Sequence, residues 1–234
     1  MEKQKVENPV SAAARSLKIC DCGLAEYRKI LDKQHELCEQ RQQGAIPNTV
    51  LLVEHKPVIT LGARQSANKL LVDRSIIEQK HIDVVDIRRG GGATAHNPGQ
   101  IVFYPIMNLQ DLSLGINEYI RQLEAIGIEL LEQLNVPSQR RKGFPGLWVD
   151  EKKIASIGVR VSKFVTYHGM AINIQNDLSI FDYMVPCGLD GVQMTSALKQ
   201  SGKTHSMSRV KEILSGILIK HFSSEELAED GTCS

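Results

Sequence analysis

No two cysteines in this sequence have the C-x-x-C spacing, and none stands at a distance from histidine that would read as a zinc site. The five cysteines, Cys20, Cys22, Cys38, Cys187 and Cys233, form an odd set, and a reducing compartment is the simplest setting for them. No stretch approaches the roughly 18 apolar residues of a membrane span. Residues 1–16 carry Glu2, Lys3, Lys5, Glu7 and Arg15 without the apolar run of a signal peptide, and the glutamates also weigh against a mitochondrial leader. Lys and Arg total 28 against 27 for Asp and Glu, a formal charge of +1, so no overall field points to nucleic acid or a membrane surface. Neither a repeat nor a linker divides the chain. Its 234 residues suffice for one well-buried core and are short for two enzymatic domains. The expectation is a single soluble domain over residues 1–234 with loose ends at 1–16 and 223–234. It would be a cytoplasmic protein, or one of the mitochondrial matrix in a eukaryote.

What is present is a set of clear periodicities. From Leu24 to Cys38 the apolar residues Leu24, Tyr27, Leu31 and Cys38 follow a helical stripe, ended by Gly44 and Pro47. Thr49–Val53 and Val58–Leu61 read as two strands around His55-Lys56-Pro57. A short helix over 73–80 is expected to be capped by Asp73. Ile82–Ile87 and Gln100–Met107 read as strands flanking a glycine-rich turn at 90–99. Ile116, Tyr119, Ile120, Leu123, Ile126, Leu130, Leu131 and Leu134 share one face of a long helix, the strongest signal in the chain. Leu147–Val149, Lys153–Val161 and Val165–Ile174 suggest an antiparallel set with a tight turn at 150–152. Asp177 is positioned to cap a brief helix and Ser208 a last one, through about His221. Without regular βαβ alternation, this order suggests an α/β (α+β) fold, a mixed, largely antiparallel sheet covered by helices.

Three segments carry chemistry. Arg88 to Gln100 contains Gly90-Gly91-Gly92, where the backbone can reach conformations closed to other residues and bring amides close to a ligand. It is neither a P-loop nor a dinucleotide fingerprint, since it lacks both Gly-Lys-Ser/Thr and GxGxxG. Composition leaves a ligand-binding turn and a tight bend in the sheet both open, and His96 alone reads as structural. Lys153 alone reads as a solvated lysine, but the small, apolar run Ile154-Ala155-Ser156-Ile157-Gly158 can desolvate an amine. Cys187 alone reads as a small core residue; its place between Pro186 and Gly188, in a loop rather than an apolar stripe, favours a nucleophile. A free thiol is only a few per cent thiolate near neutrality, so that role needs a nearby cation or base. Lys153 is the candidate for it.

Together the segments resemble the octanoyltransferase, or lipoyl(octanoyl) transferase, family of protein lipoylation. The resemblance rests on Arg89-Gly90-Gly91 through His96 with Pro98-Gly99-Gln100, on Lys152 to Arg160, on Thr166 to Asn173 and on Val185-Pro186-Cys187-Gly188. These motifs occur in order over roughly residues 50–198. The resemblance implies a biotin/lipoate protein ligase-like domain that needs no cofactor or metal. It also implies transfer of an octanoyl or lipoyl group from acyl carrier protein to a lysine of apo lipoyl domains. The acceptors would be the E2 subunits of 2-oxoacid dehydrogenases and the glycine cleavage H protein, with no nucleic acid or membrane partner and a monomeric enzyme. Carried over to this sequence, Cys187 is the acyl-accepting nucleophile and Lys153 the group that assists it. The acyl pocket would be lined by Arg89, Gly90, Gly91, Gly92, Ala93, Thr94, Ala95 and His96, by Ser156, Ile157 and Gly158, and by Gly169, Met170 and Ala171. Backbone amides around Cys187 and Gly188, with His96, are the candidate oxyanion donors. The chain departs from the family pattern at Ala95 and Asn97, where an aromatic and a glycine are usual, and at Gly92, where a polar residue is commoner.

Three other activities compete with that implication. An ATP-dependent lipoate or biotin protein ligase would use Lys153 on an acyl adenylate and leave Cys187 idle. An amidotransferase would move octanoyl between two lipoyl domains, also through a thioester. A binding module without turnover would need neither Cys187 nor Lys153.

Overall fold

The computed structural model describes residues 16–189, 191–223 and 228–230, and at Cys187 it describes the backbone. Eleven strands and five α-helices lie in these segments. In chain order they begin with β1 (Leu17–Ala25), α1 (Tyr27–Gln42), β2 (Asn48–His55), β3 (Val58–Leu61), α2 (Arg74–Gln79) and β4 (Asp83–Asp86). β5 (Thr94–His96), β6 (Gln100–Ile106), α3 (Ile116–Gln133), β7 (Gln139–Arg141), β8 (Phe144–Val149) and β9 (Lys152–Ser162) follow. The order closes with β10 (Val165–Asn173), α4 (Ala197–Ser201), α5 (Met207–Phe222) and β11 (Ala228–Asp230).

Eight strands form one sheet in the order β11-β1-β2-β6-β10-β9-β8-β7, and β4-β3-β5 form a second, smaller one. From β2 to β7 all neighbours are antiparallel, while β1 runs parallel to both β2 and β11. The mixed, largely antiparallel sheet expected from the sequence is the one found, with β1-α1-β2 as its βαβ crossover. The strands at the middle of the large sheet are buried on both faces. Val50 and Leu52 of β2, Ile101 and Phe103 of β6, and Met170 and Ile172 of β10 pack under α3 and α5. Their neighbours Leu51, Val53, Val102, Tyr104 and Ala171 point to the opposite face, which α1 covers.

Several local expectations change. β2 and β3 do not form a hairpin: β2 enters the large sheet and β3 the small one. Asp73 stands at the N-terminus of α2 but its side chain makes no capping bond. The cap of α5 is Ser206, which accepts from the Arg209 N–H at 3.5 Å, rather than Ser208. Asp177 does cap a helical turn, of 3₁₀ type, by accepting from Ser179 N–H at 2.9 Å. The expected loose ends fall largely outside the described residues, but Ala228–Asp230 pairs with Leu17–Ile19 and is a strand. Cys22 and Cys38 are free thiols. No helix among the described residues is long and apolar enough to cross a membrane, and none of their side chains form a cluster suited to a metal ion.

Candidate active site

Lys153 is the second residue of β9 and is 2% exposed, so it is not the solvated lysine that its polar turn suggests. Its Nζ donates to the Pro145 carbonyl at 3.0 Å and lies 5.3 Å from the centre of the Trp148 ring. The backbone around it is tied to the segment that follows Cys187. Lys153 N–H donates to Gln193 O and Thr195 N–H donates to Lys153 O, both at 2.9 Å.

Pro186-Cys187-Gly188 forms a 3₁₀ turn. Gly188 has φ +68° and its Cα lies so close to Ala67 that a Cβ there would come within 2.5 Å of the Ala67 Cβ. A Cβ on Gly92 would meet the Ala67 carbonyl at 2.3 Å. Only glycine lets both backbones reach this one alanine, so the Cys187 turn and the glycine-rich turn are pressed together there. The Gly188 and Leu189 N–H groups are committed within the turn, to Val185 O and Pro186 O. The Gly188 amide is therefore not among the available oxyanion donors, contrary to the expectation from sequence.

A narrow cavity lies between β6, β9 and β10 on one side and the turn at 89–96 with the start of α1 on the other. It is a tight slot of about 30 Å³, partly open to solvent. Of the fourteen residues expected to line an acyl pocket, ten line this one: Arg89, Gly91, Thr94 and His96; Ser156, Ile157 and Gly158; Gly169, Met170 and Ala171. The other four do not. Along β5 side chains alternate, so Thr94 and His96 face the cavity while Ala93 and Ala95 pack with Ile59, Ile77 and Val84. Gly90 and Gly92 abut the backbones of Val159 and Ala67.

Tyr27, Val102, Tyr104 and His168 complete the lining; His168 lies in the motif from Thr166 to Asn173, and the motifs did not include the other three. Tyr27, Tyr104, His96, His168 and His55 form a buried polar group. The Tyr27 ring stacks on His96 at 5.8 Å, and His55 Nε2 pairs with the Tyr104 hydroxyl at 2.8 Å. Burial drives the imidazoles towards the neutral form: His55 is lowered to about 4 and His168 to about 3, and His96 falls well below its ordinary value. Burial raises the Tyr27 hydroxyl to about 12. His168 sits at φ +58° within β10, its N–H donating to Gln34 Oε1 at 2.8 Å, and its Nδ1 is buried without a partner. Arg89 supplies a buried cation, its guanidinium donating to Thr60 O and Oγ1 and to Gly90 O at 2.9–3.0 Å. The glycine at 158 is needed for it to pass, since a Cβ would lie 2.8 Å from the Arg89 Cδ.

Residues 26–219 match the model of the lipoyl protein ligase A/B catalytic domain. The chain belongs to this family. Among its lipoyl ligase A/B relatives, an octanoyltransferase of Desulfovibrio desulfuricans is 39% identical over 192 residues, covering 82% of this chain and 81% of the relative. One from Roseiflexus is 42% identical over 214 residues, covering 90% and 89%. Solved structures share the lipoyl ligase A/B fold at low identity. A bi-partite lipoate protein ligase from Thermoplasma acidophilum superposes with a TM-score of 0.69 at 14% identity, over 94% of this chain and 87% of that one. A lipoate-protein ligase A bound with ATP superposes with the same score and identity, over 94% and 89%. At that identity the likeness concerns the fold alone.

Proposed function

We propose that this protein is an octanoyltransferase that takes an octanoyl group from acyl carrier protein and passes it, through a thioester on Cys187, to a lysine of apo lipoyl domains. The observation that supports it most is the backbone pairing of Lys153 with Gln193 and Thr195, six and eight residues past Cys187. It joins the strand bearing the amine to the segment bearing the thiol, and the shared contact at Ala67 joins that segment to the glycine-rich turn.

In the first half-reaction the Cys187 sulfur attacks the carbonyl of the donor thioester and its proton passes to Lys153. The pantetheine thiol leaves with that proton. One thioester replaces another, so the exchange is close to thermoneutral and needs no ATP. In the second half-reaction the acceptor amine attacks, the bond to Cys187 breaks and the amine's proton returns to the sulfur by way of Lys153. A free lysine amine, with a pKa of about 10.4, is charged in water, so it gives one proton to solvent before it attacks and the second to Lys153. Burying seven alkyl carbons at about 0.8 kcal/mol each supplies roughly 5 kcal/mol of binding. The slot between β6, β9 and β10 suits an unbranched chain. We assign the enzyme to a soluble compartment as a monomer.

Intact mass after mixing the protein with octanoyl-acyl carrier protein, without ATP, tests this directly. Wild type should gain a hydroxylamine-labile octanoyl adduct that passes to an apo lipoyl domain, and Cys187→Ser should gain none. Transfer that appears only with free octanoate and ATP would make the protein a ligase, and an octanoylated lipoyl domain preferred as donor would make it an amidotransferase.

A further inference from the structure

The hydrogen bonds behind the cavity determine which ring nitrogen of His96 carries the proton. Asn173, buried at the end of β10, donates through Nδ2 to Thr195 O at 2.9 Å, so its Oδ1 faces the other way. That oxygen accepts from Gln100 Nε2 at 2.8 Å and from Asn176 Nδ2 at 3.3 Å. Gln100 Nε2 also donates to Ala95 O at 3.2 Å. Turning Asn173 over would set its oxygen against Thr195 O and its NH₂ against that of Gln100, and turning Gln100 over would set its oxygen against Asn173 Oδ1 and Ala95 O. Gln100 Oε1 is therefore fixed as the acceptor facing His96 Nδ1, 2.7 Å away, and Nδ1 carries the hydrogen. The imidazole is buried and neutral, so Nε2 holds a lone pair and no hydrogen. Among the described residues Nε2 has no hydrogen-bond partner, and His96 lines the cavity.

A ring nitrogen in this state cannot donate to an oxyanion, which removes the role that the sequence left open for His96. Nor can an octanoyl group satisfy it, because the alkyl chain has no donor and the carbonyl oxygen only accepts. The matching group must bring its own hydrogen on nitrogen, oxygen or sulfur. Resting on the function proposed above, we propose that His96 Nε2 accepts a hydrogen bond from the attacking amine in the second half-reaction, with Gln100 and Asn173 as positioning residues that hold its tautomer. The amine nitrogen forms its bond to the acyl carbon as the bond to the Cys187 sulfur breaks. One amine proton goes to that sulfur through Lys153, and the N–H retained in the amide product is the one directed at His96. His96 neither gains nor loses a proton. The chain of bonds continues from Asn173 through Thr195 to the Lys153 carbonyl, so the group that orients the amine and the group that deprotonates it share one frame.

Two measurements test this. Imidazole ¹⁵N spectra of the wild-type protein should show His96 as the Nδ1–H tautomer and Gln100→Leu should lose that preference; an Nε2–H signal in the wild type overturns the inference. In single-turnover mass measurements with octanoyl-acyl carrier protein and then apo lipoyl domain, His96→Phe should lower the ratio of the transfer rate to the acylation rate about tenfold or more. His96→Gln, which keeps an acceptor, should recover part of that loss. Equal slowing of both steps, or slowing of acylation alone, overturns the inference. A wild type that forms no acyl-enzyme refutes the thioester route instead, and if a variant does not fold, the wild-type spectrum still decides the tautomer.

Discussion

At the level of single residues, burial rather than identity separates the functional candidates from their look-alikes. Lys152 and Lys153 are adjacent lysines after the same turn, yet Lys152 is exposed and Lys153 is enclosed by Pro145 and Trp148. Lys153→Met keeps most of the packed stem and removes the amine. It should slow formation of the octanoyl adduct on Cys187 by about 10²–10⁴-fold, the usual worth of a general base, with little change in melting temperature. The adduct's growth in intact mass measures it. Gly158→Ala should act differently, because its Cβ would press on Arg89 Cδ at 2.8 Å and Gly90 O at 2.9 Å and narrow the slot. Transfer of octanoyl should fall relative to shorter acyl groups, which competition between butanoyl and octanoyl donors would reveal; an unchanged ratio would remove the slot from the acyl path. Most of the cavity's lining was legible because it falls in contiguous motifs. Tyr27 and Tyr104 were not, since each occupies a position that reads as ordinary core in a helix or strand, and their grouping with the motif residue His168 depends on three elements meeting.

The elements themselves were legible where a period is long. The stripe from Ile116 to Leu134 appears as α3, and the pattern from Leu147 to Ile174 appears as β8, β9 and β10 paired as expected. Where an element is short or caps are ambiguous, local pattern was not enough. β5 is three residues long and hides within the glycine-rich turn, and β1, with its polar alternation, was not recognised as a strand. At α5 two serines compete for the N-terminus, and the backbone decides: Ser206 is extended, with ψ 126°, and its side chain reaches Arg209 N–H. Ser206→Ala should therefore cost about 0.5–1 kcal/mol in urea unfolding, whereas Ser208→Ala should be close to neutral. The reverse order would restore Ser208 as the cap.

The buried imidazoles express themselves in the whole molecule's response to acid. His55 is lowered to about 4 in the folded protein against about 6.5 unfolded, so the unfolded chain takes up its proton first as the pH falls. The stability held above about pH 6.5 is thus lost between there and about pH 4, and His168 and His96 act in the same direction. His55→Gln removes one of these protons. Its loss of unfolding free energy between pH 7 and pH 4.5 should be about 2–3 kcal/mol smaller than that of the wild type, and equal losses would mean that His55 does not titrate with folding. By itself the sequence determined the class of the sheet, the major helix and the motif glycines. These follow from side-chain period and from residue types whose chemistry is local. Only the tertiary structure decided which strands share a sheet, that Lys153 is buried, that Gly92 and Gly188 meet at Ala67, and which nitrogen of His96 carries the proton. Each of those is set by contacts between segments far apart in the chain, where desolvation and the geometry of fixed amides act on groups that no local pattern connects.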